Sequence, residues 1–219
     1  DLTVAENMAF FGGVYGLRGA RLRERAAAAA EMAGLAGMED QLTGTLSGAL
    51  QQRLALGCAV LHQPPILFLD EPTSGVDPIS RRMFWDLIQD MASQGVTVLI
   101  TTHFMDEAEF CGRIGFINGG RLVALDTPSS IRKTAVTEDL FEVELASFKG
   151  AREKVEALAG VEAVSFFGPR LHVFCRNGLY APDSLRQAME AKGLSVRSLS
   201  PAPVSLEDAF IRLAEAGKS

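Results

Sequence analysis

The chain has 219 residues, 21 Lys and Arg against 27 Asp and Glu, and a formal net charge of −6. Its hydrophobic share of 47% and charged share of 22% belong to a globular protein and exclude disorder and collagen-like repeats. The acidic balance (pI about 5.2) leaves no electrostatic footprint for non-specific nucleic-acid binding. Apolar runs such as Leu54–Leu61 fall far short of the ~20 residues that a membrane-spanning helix needs. Length suits one full domain plus a smaller one. Cys58, Cys111 and Cys175 are scattered, odd in number and form no C-x-x-C pair, which points to reduced thiols in a cytoplasmic protein. No secretory leader opens the chain, and a start at Asp1 without Met reads as a truncation.

The first third is helical by periodicity. Val4–Leu17 places Met8, Phe11, Val14 or Tyr15, and Leu17 near one face, with Gly12-Gly13 weakening its middle. Ala20–Met32 carries the Ala26–Ala30 run, a strong helix former suited to close packing. Leu50, Leu54, Cys58 and Leu61 share one face of a third helix that ends at Pro64-Pro65. The middle third changes period. Ile66–Leu69 and Val96–Ile100 read as short strands covered on both faces. Between them, Asp77-Pro78 opens a helix whose buried stripe is expected to hold Ile79, Met83, Phe84, Leu87, Ile88 and Met91. Strand, helix and strand in that order predict a parallel sheet. Arg113–Ile117 and Leu122–Leu125, joined by Asn118-Gly119-Gly120, read as a hairpin.

The polar stretch Thr127–Thr137 reads as the boundary before a second domain. Beyond it the order is strand (Leu140–Leu145), helix (Lys149–Leu158), strands Val161–Phe167 and Leu171–Cys175, helix (Ser184–Ala191), a strand near Leu194–Leu199, and a closing helix Leu206–Ala214. That βαββαβ order predicts a small ferredoxin-like α+β domain at residues 138–219, with His172 and Cys175 as packing residues. No internal repeat is visible.

The chemistry concentrates in three segments. Ile66–Leu69 runs into Asp70-Glu71, and ligands of open parallel sheets sit beyond the carboxyl ends of the strands. Two adjacent carboxylates buried there need a counter-charge, and Mg²⁺ accepts one or two carboxylates plus waters and phosphates. On its own, Asp-Glu at a strand end is an ordinary solvated loop. Leu46-Ser47-Gly48-Ala49-Leu50-Gln51-Gln52-Arg53 opens the third helix, where free N–H groups and the dipole suit a phosphate, although Ser-Gly alone is more often a simple cap. The second buried strand runs into Thr101-Thr102-His103, and a histidine beside an Asp-Glu strand can reach a terminal phosphate or an attacking water.

In this order the segments resemble the ATP-binding subunits of ABC transporters. Leu46–Arg53 resembles the signature motif, Ile66–Glu71 the Walker B strand, Ser74-Gly75-Val76-Asp77 the D-loop and His103 the switch histidine. Leu2–Asn7 is similar to the segment after the glutamine loop, and Thr102–Glu109 and Ser205–Phe210 look most like bacterial drug-export ATPases. The resemblance implies an α/β P-loop NTPase core over residues 1–134, with 1–62 as the helical subdomain and 63–134 as the Walker B and switch part. It implies ATP and Mg²⁺ as cofactors. Asp70 would hold Mg²⁺ through water, Glu71 would act as general base and His103 would contact the γ-phosphate. Ser47, Gly48 and Gln51 would bind the ATP held by a second cassette, and Asp77 would work across that dimer interface. The implied partners are this second cassette, as a homodimer or a tandem, and an integral membrane permease, with the protein peripheral on the cytoplasmic face of the membrane. A soluble ABC ATPase acting on nucleic acid or ribosomes is the alternative, but such proteins carry basic arms or coiled-coil insertions that are not seen here. A non-catalytic regulatory partner is a third reading, opposed by Glu71 and His103.

Two features depart from the pattern. Ala49 and Leu50 stand where the signature usually has Gly and Gln. No G-x-x-x-x-G-K-S/T precedes the signature, and Gly217-Lys218-Ser219 cannot serve, because Arg212 stands at its first glycine position and no helix can follow. The Walker A and glutamine loops are therefore expected ahead of Asp1, and this stretch alone is expected neither to bind ATP tightly nor to hydrolyse it.

Overall fold

The computed structural model describes residues 1–216, so Gly217-Lys218-Ser219 lie outside the described residues. The chain divides into two compact units, Asp1–Phe104 and Met105–Ser219.

The first unit opens with α1 (Val4–Val14), α2 (Gly19–Met32) and α3 (Gly48–Val60). Thr3 caps α1 in a reciprocal box with Glu6, satisfying two terminal N–H groups. The three helices close on Val4, Met8, Leu17, Ala29, Ala30, Leu35, Leu54, Cys58 and Leu61. The alanines do what their run predicts, since small side chains let α2 lie close to α3. Gly12 is an interior contact rather than a weak point: a Cβ there would meet Leu22 Cδ1 at 2.2 Å. It gives up helix propensity for close approach of α1 and α2.

The rest of this unit is β1 (Ile66–Asp70), α4 (Pro78–Ser93) and β2 (Thr97–Thr101). β1 and β2 pair in parallel, Ile66 opposite Thr97 through Asp70 opposite Thr101. The expectation of strands covered on both faces is corrected. Leu67 is buried, but Phe68 is 72% and Leu99 59% exposed. Period-two alternation puts Ile66, Phe68, Asp70, Thr97, Leu99 and Thr101 on one face, and no described element covers it. α4 packs against β2. Its buried stripe is Phe84, Trp85, Ile88 and Met91, whereas Ile79 and Met83 are exposed, which corrects the predicted stripe. Ile79 and Met83 are one turn apart on a stripe that this unit does not cover.

The second unit begins with α5 (Met105–Ala108) and the hairpin β3 (Ile114–Asn118) and β4 (Arg121–Asp126). Gly119 and Gly120 both take positive φ, as the tight two-residue turn requires. The stretch read as a polar boundary is instead a helix, α6 (Pro128–Ala135). Thr127 caps it, Pro128 fills its first turn and Ile131 is buried. One buried apolar position in a polar segment is too weak a period to read from sequence.

After α6 come β5 (Asp139–Leu145), α7 (Ala151–Glu156), β6 (Val161–Phe167), β7 (Arg170–Cys175), α8 (Pro182–Ala191), β8 (Val196–Pro201) and α9 (Leu206–Ala216). The four strands form an antiparallel sheet in the order β6-β7-β5-β8. Phe141, Val143, Leu145, Leu171, Val173 and Cys175 meet α7 and α8 on one face. On the other face Leu140 and Phe174 join Val136. α9 reaches from the sheet to the hairpin and α6. Leu206 and Ala209 pack with Ala108, Ile114, Phe116 and Ile131, so the last helix ties the hairpin and α6 into the same unit as the sheet. For that reason the division falls after Phe104, and the position expected near residues 134–138 lies inside the second unit.

Cys175 is core, and burial pushes its thiol pKa up to about 11. All three cysteines are free thiols. His172 is more than a packing residue. It is buried with Nδ1 2.7 Å from Asp208 Oδ1, its ring stacks on Phe167, and Glu142 Oε2 lies 3.7 Å from Nε2. Asp208 also accepts bonds from the Ser205 N–H and hydroxyl, fixing the start of α9 to β7. Burial opposes the charged imidazole, but the Asp208 bond and the charges of Asp208 and Glu142 outweigh it and raise the His172 pKa. Burial likewise opposes the Asp208 carboxylate, and the bonds from His172 and Ser205 outweigh that and lower its pKa. A raised histidine pKa contributes stability that is complete below the unfolded value near 6.5 and fades as pH rises through the folded value. A lowered Asp pKa contributes stability present above about 4 and lost in acid. Asp208→Asn is expected to cost roughly 3 kcal/mol of unfolding free energy at pH 6 and less at pH 9, read by urea denaturation. An equal loss at both pH values would contradict the ion pair.

Candidate functional site

Parallel pairing brings the ends of β1 and β2 side by side, and the next residues of each strand carry the candidate groups. Glu71 donates its N–H to both the carbonyl (3.1 Å) and the hydroxyl (3.1 Å) of Thr101, extending the ladder one residue past β1. The Thr101 hydroxyl in turn donates to Asp70 Oδ1. His103 Nδ1 lies 3.4 Å from Glu71 Oε2. Glu71 and His103 therefore meet just past the paired strand ends, and Asp70 stands at the end of β1 with its carboxylate on Thr101.

His103 is held from behind. The Phe104 N–H donates to the Thr102 hydroxyl at 3.0 Å and turns the chain after β2. The Phe104 ring lies 4.1 Å from the His103 ring, and the Arg81 guanidinium of α4 sits 4.0 Å over Phe104. Both side chains remain open to water, His103 at 55% and Glu71 at 50% exposure. The predicted cost of two buried carboxylates is therefore not incurred in this arrangement. Solvent reaches the pair, and geometry rather than desolvation marks the site.

Between Glu71 and Asp77 the chain makes two short turns, Ser74 N–H to Glu71 carbonyl and Val76 N–H to Thr73 carbonyl, both 3.1 Å. Gly75 takes φ +73° there, which a side chain would strain. Asp77 is the cap of α4, its Oδ1 accepting from the N–H groups of Ile79 (3.1 Å) and Ser80 (3.0 Å). Hydrogen bonds from the Ser80 side chain and backbone hold its carboxyl below the ordinary range.

Ser47, Gly48 and Gln51 form a second group, at the start of α3. Ser47 caps the helix through Leu50 N–H at 3.4 Å, and Gly48 is its first residue. Gln51 Nε2 donates to the carbonyls of Thr43 (3.2 Å) and Leu46 (3.1 Å), pinning the loop ahead of the helix. Leu50 thus contributes its backbone to the cap, whatever its side chain lacks.

Among the described residues, no three His, Cys, Asp or Glu side chains cluster closely enough to hold a metal by themselves. One or two carboxylates fit Mg²⁺ when phosphates and waters supply its other oxygens, and the exposed Asp70 carboxylate at the end of β1 fits that donor set. Sequence reasoning missed Thr101, Phe104 and Arg81. Thr101 was findable, because a parallel register that aligns the two apolar runs places it opposite Asp70. Arg81 and Phe104 meet only in three dimensions.

The family model described as ABC transporter matches residues 1–74. The chain is 49% identical over 139 residues to the probable multidrug ABC transporter ATP-binding protein YbhF of Escherichia coli, covering 64% of this chain and 24% of that protein. It is 35% identical over 214 residues to the Nod factor export ATP-binding protein I of Cupriavidus metallidurans, covering 97% of this chain and 68% of that one. Among solved structures, an ATP-binding subunit of an ABC transporter superposes with TM-score 0.53 at 26% identity, over 61% of this chain and 56% of the other. The cbiO1 protein of Clostridium perfringens, part of the ABC transporter complex cbiONQ, gives 0.54 at 26% identity, over 59% and 52%. The chain belongs to the ABC transporter ATP-binding proteins, with the α/β fold of their ATPase domain. It spans about a quarter of the YbhF protein and about two thirds of the Nod factor export protein.

Proposed function

We propose that this chain is the signature, Walker B and switch portion of an ATPase that powers export of small molecules through a separate membrane permease. The observation that carries the reading is the contact of Glu71 with His103 beside the Asp70–Thr101 pair at the ends of β1 and β2. In phosphoryl transfer, positioning and electrostatics supply most of the rate, and this opening offers both. Glu71 is the general base that takes the proton of the attacking water. His103, 3.4 Å from Glu71 and braced by Phe104, orients that carboxylate and reaches the terminal phosphate. Asp70, its carboxylate oriented by Thr101, would hold Mg²⁺, which would supply positive charge against the phosphates. Ser47 and Gly48 bind the phosphate of a nucleotide held by a second cassette, Gln51 holds the loop beneath them with both of its amide hydrogens, and Asp77 lies at the dimer contact.

The names of the relatives, multidrug and Nod factor export, support transport as the coupled work. Among the described residues no helix is long and apolar enough to cross a membrane, so we propose that the permease is another polypeptide and that this protein sits against it on the cytoplasmic face. The antiparallel βαββαβ sheet of the second unit is proposed to be a ferredoxin-like appendage with a regulatory or dimer-contact role.

No glycine-rich Lys loop stands ahead of the signature in these 219 residues, so the triphosphate cradle is proposed to come from outside this stretch. Calorimetric titration of the 219-residue chain with ATP is expected to show nothing tighter than roughly millimolar, about −4 kcal/mol. Micromolar binding would contradict the proposed division of labour. In the full-length gene product, Glu71→Gln is expected to slow ATP hydrolysis by ~10²–10⁴ with binding retained. An unchanged turnover would remove Glu71 from the role of base.

A further inference from the structure

We propose that Thr101 is a positioning residue for ATP hydrolysis, one hydroxyl that sets both the Asp70 carboxylate and the Glu71 backbone; the inference rests on the roles given above to Asp70 and Glu71. The register pairs Asp70 with Thr101, which places their side chains next to each other on the same face of the two-stranded ladder. There the Thr101 hydroxyl is used in both directions. Its proton goes to Asp70 Oδ1, and its oxygen accepts the Glu71 N–H at 3.1 Å. A hydroxyl has one proton and two lone pairs, so donation to a carboxylate and acceptance from an amide are compatible, and each fixes the direction of the other.

Glu71 gives this clasp its purpose. It has φ +43°, in the left-handed region that a side chain rarely adopts, and Pro72 follows it. Such a conformation persists where its surroundings over-determine it. Thr101 supplies two acceptors to the one N–H that fixes the twist, its carbonyl and its hydroxyl. The twist turns the chain out of the ladder just where the Glu71 carboxylate meets His103. The same side chain therefore governs the carboxylate proposed to hold the ion and the backbone carrying the proposed base, and a β-branched residue holds its χ1 with little freedom.

Little in the fold depends on this hydroxyl. Thr101 is exposed, and its carbonyl still accepts the Glu71 N–H when the hydroxyl is removed. Thr101→Val keeps shape and strand propensity and deletes only the clasp, while Thr101→Ser keeps the clasp on a looser side chain. In the full-length gene product, Thr101→Val is expected to lower kcat for ATP at least about tenfold, with KM for ATP within about threefold of the parent. The Mg²⁺ concentration for half-maximal rate is expected to rise by about threefold or more, the melting temperature to stay within about 2 °C, and Thr101→Ser to recover about half of kcat or more. Glu71→Gln is assayed alongside. A parent-like kcat and Mg²⁺ dependence in Thr101→Val, with Glu71→Gln inactive, overturns the Thr101 inference and leaves the role of Glu71 standing. A Thr101→Val loss that Thr101→Ser does not recover overturns it too, as does a loss accompanied by a lowered melting temperature. Full activity in Glu71→Gln overturns the reading of Glu71 and this inference with it.

Discussion

The site depends on one register. With Phe68 opposite Leu99, Asp70 must stand opposite Thr101, and Glu71 leaves the ladder at the level where the chain after β2 turns toward His103. Slipping that pairing by one residue would move Asp70 to the other face of the sheet and separate it from the hydroxyl that orients it. The remaining geometry follows from how each strand leaves the sheet. β1 exits through a left-handed glutamate and two short turns into the cap of α4, and β2 exits through Thr102 into a histidine braced by an aromatic ring and an arginine of that helix.

Where helices and strands lie was legible because these residues are locally consistent. Asp77-Pro78 is a helix start by cap chemistry alone, and the structure uses the Asp77 carboxylate in that way. Asn118-Gly119-Gly120 is a hairpin by backbone permission, and both glycines take positive φ. Asp70, Glu71 and His103 could be named because each follows an apolar run that had to be a strand. Coverage was not legible. The sequence of β1 is apolar at every position before Asp70, which reads as burial on both faces, yet burial depends on what packs above and below the sheet. Phe68 and Leu99 on one face, with Ile79 and Met83 of α4 on an uncovered stripe, show apolar pattern without a covering element.

The second unit shows the same limit at longer range. Its strand and helix order could be read from alternation, but the course of α9 could not. Leu206 and Ala209 meet residues nearly a hundred positions earlier, while Asp208 turns to His172 on the sheet. A histidine in an apolar strand gives no sign from sequence that an aspartate from the last helix will meet it. That ion pair and the apolar contacts of α9 join hairpin, α6 and sheet into one body, so the compact division falls after Phe104 rather than at the polar stretch that sequence composition suggested.

In the proposed function, the paired ends of β1 and β2 face the reacting end of a magnesium-bound triphosphate. A crystal structure of the full-length gene product with Mg²⁺ and a non-hydrolysable ATP analogue tests it most directly. The expected result is density for the ion next to the Asp70 carboxylate, with the terminal phosphate facing Glu71 and His103. Triphosphate bound elsewhere on the molecule, with Asp70, Glu71 and His103 opening only onto solvent, would contradict it.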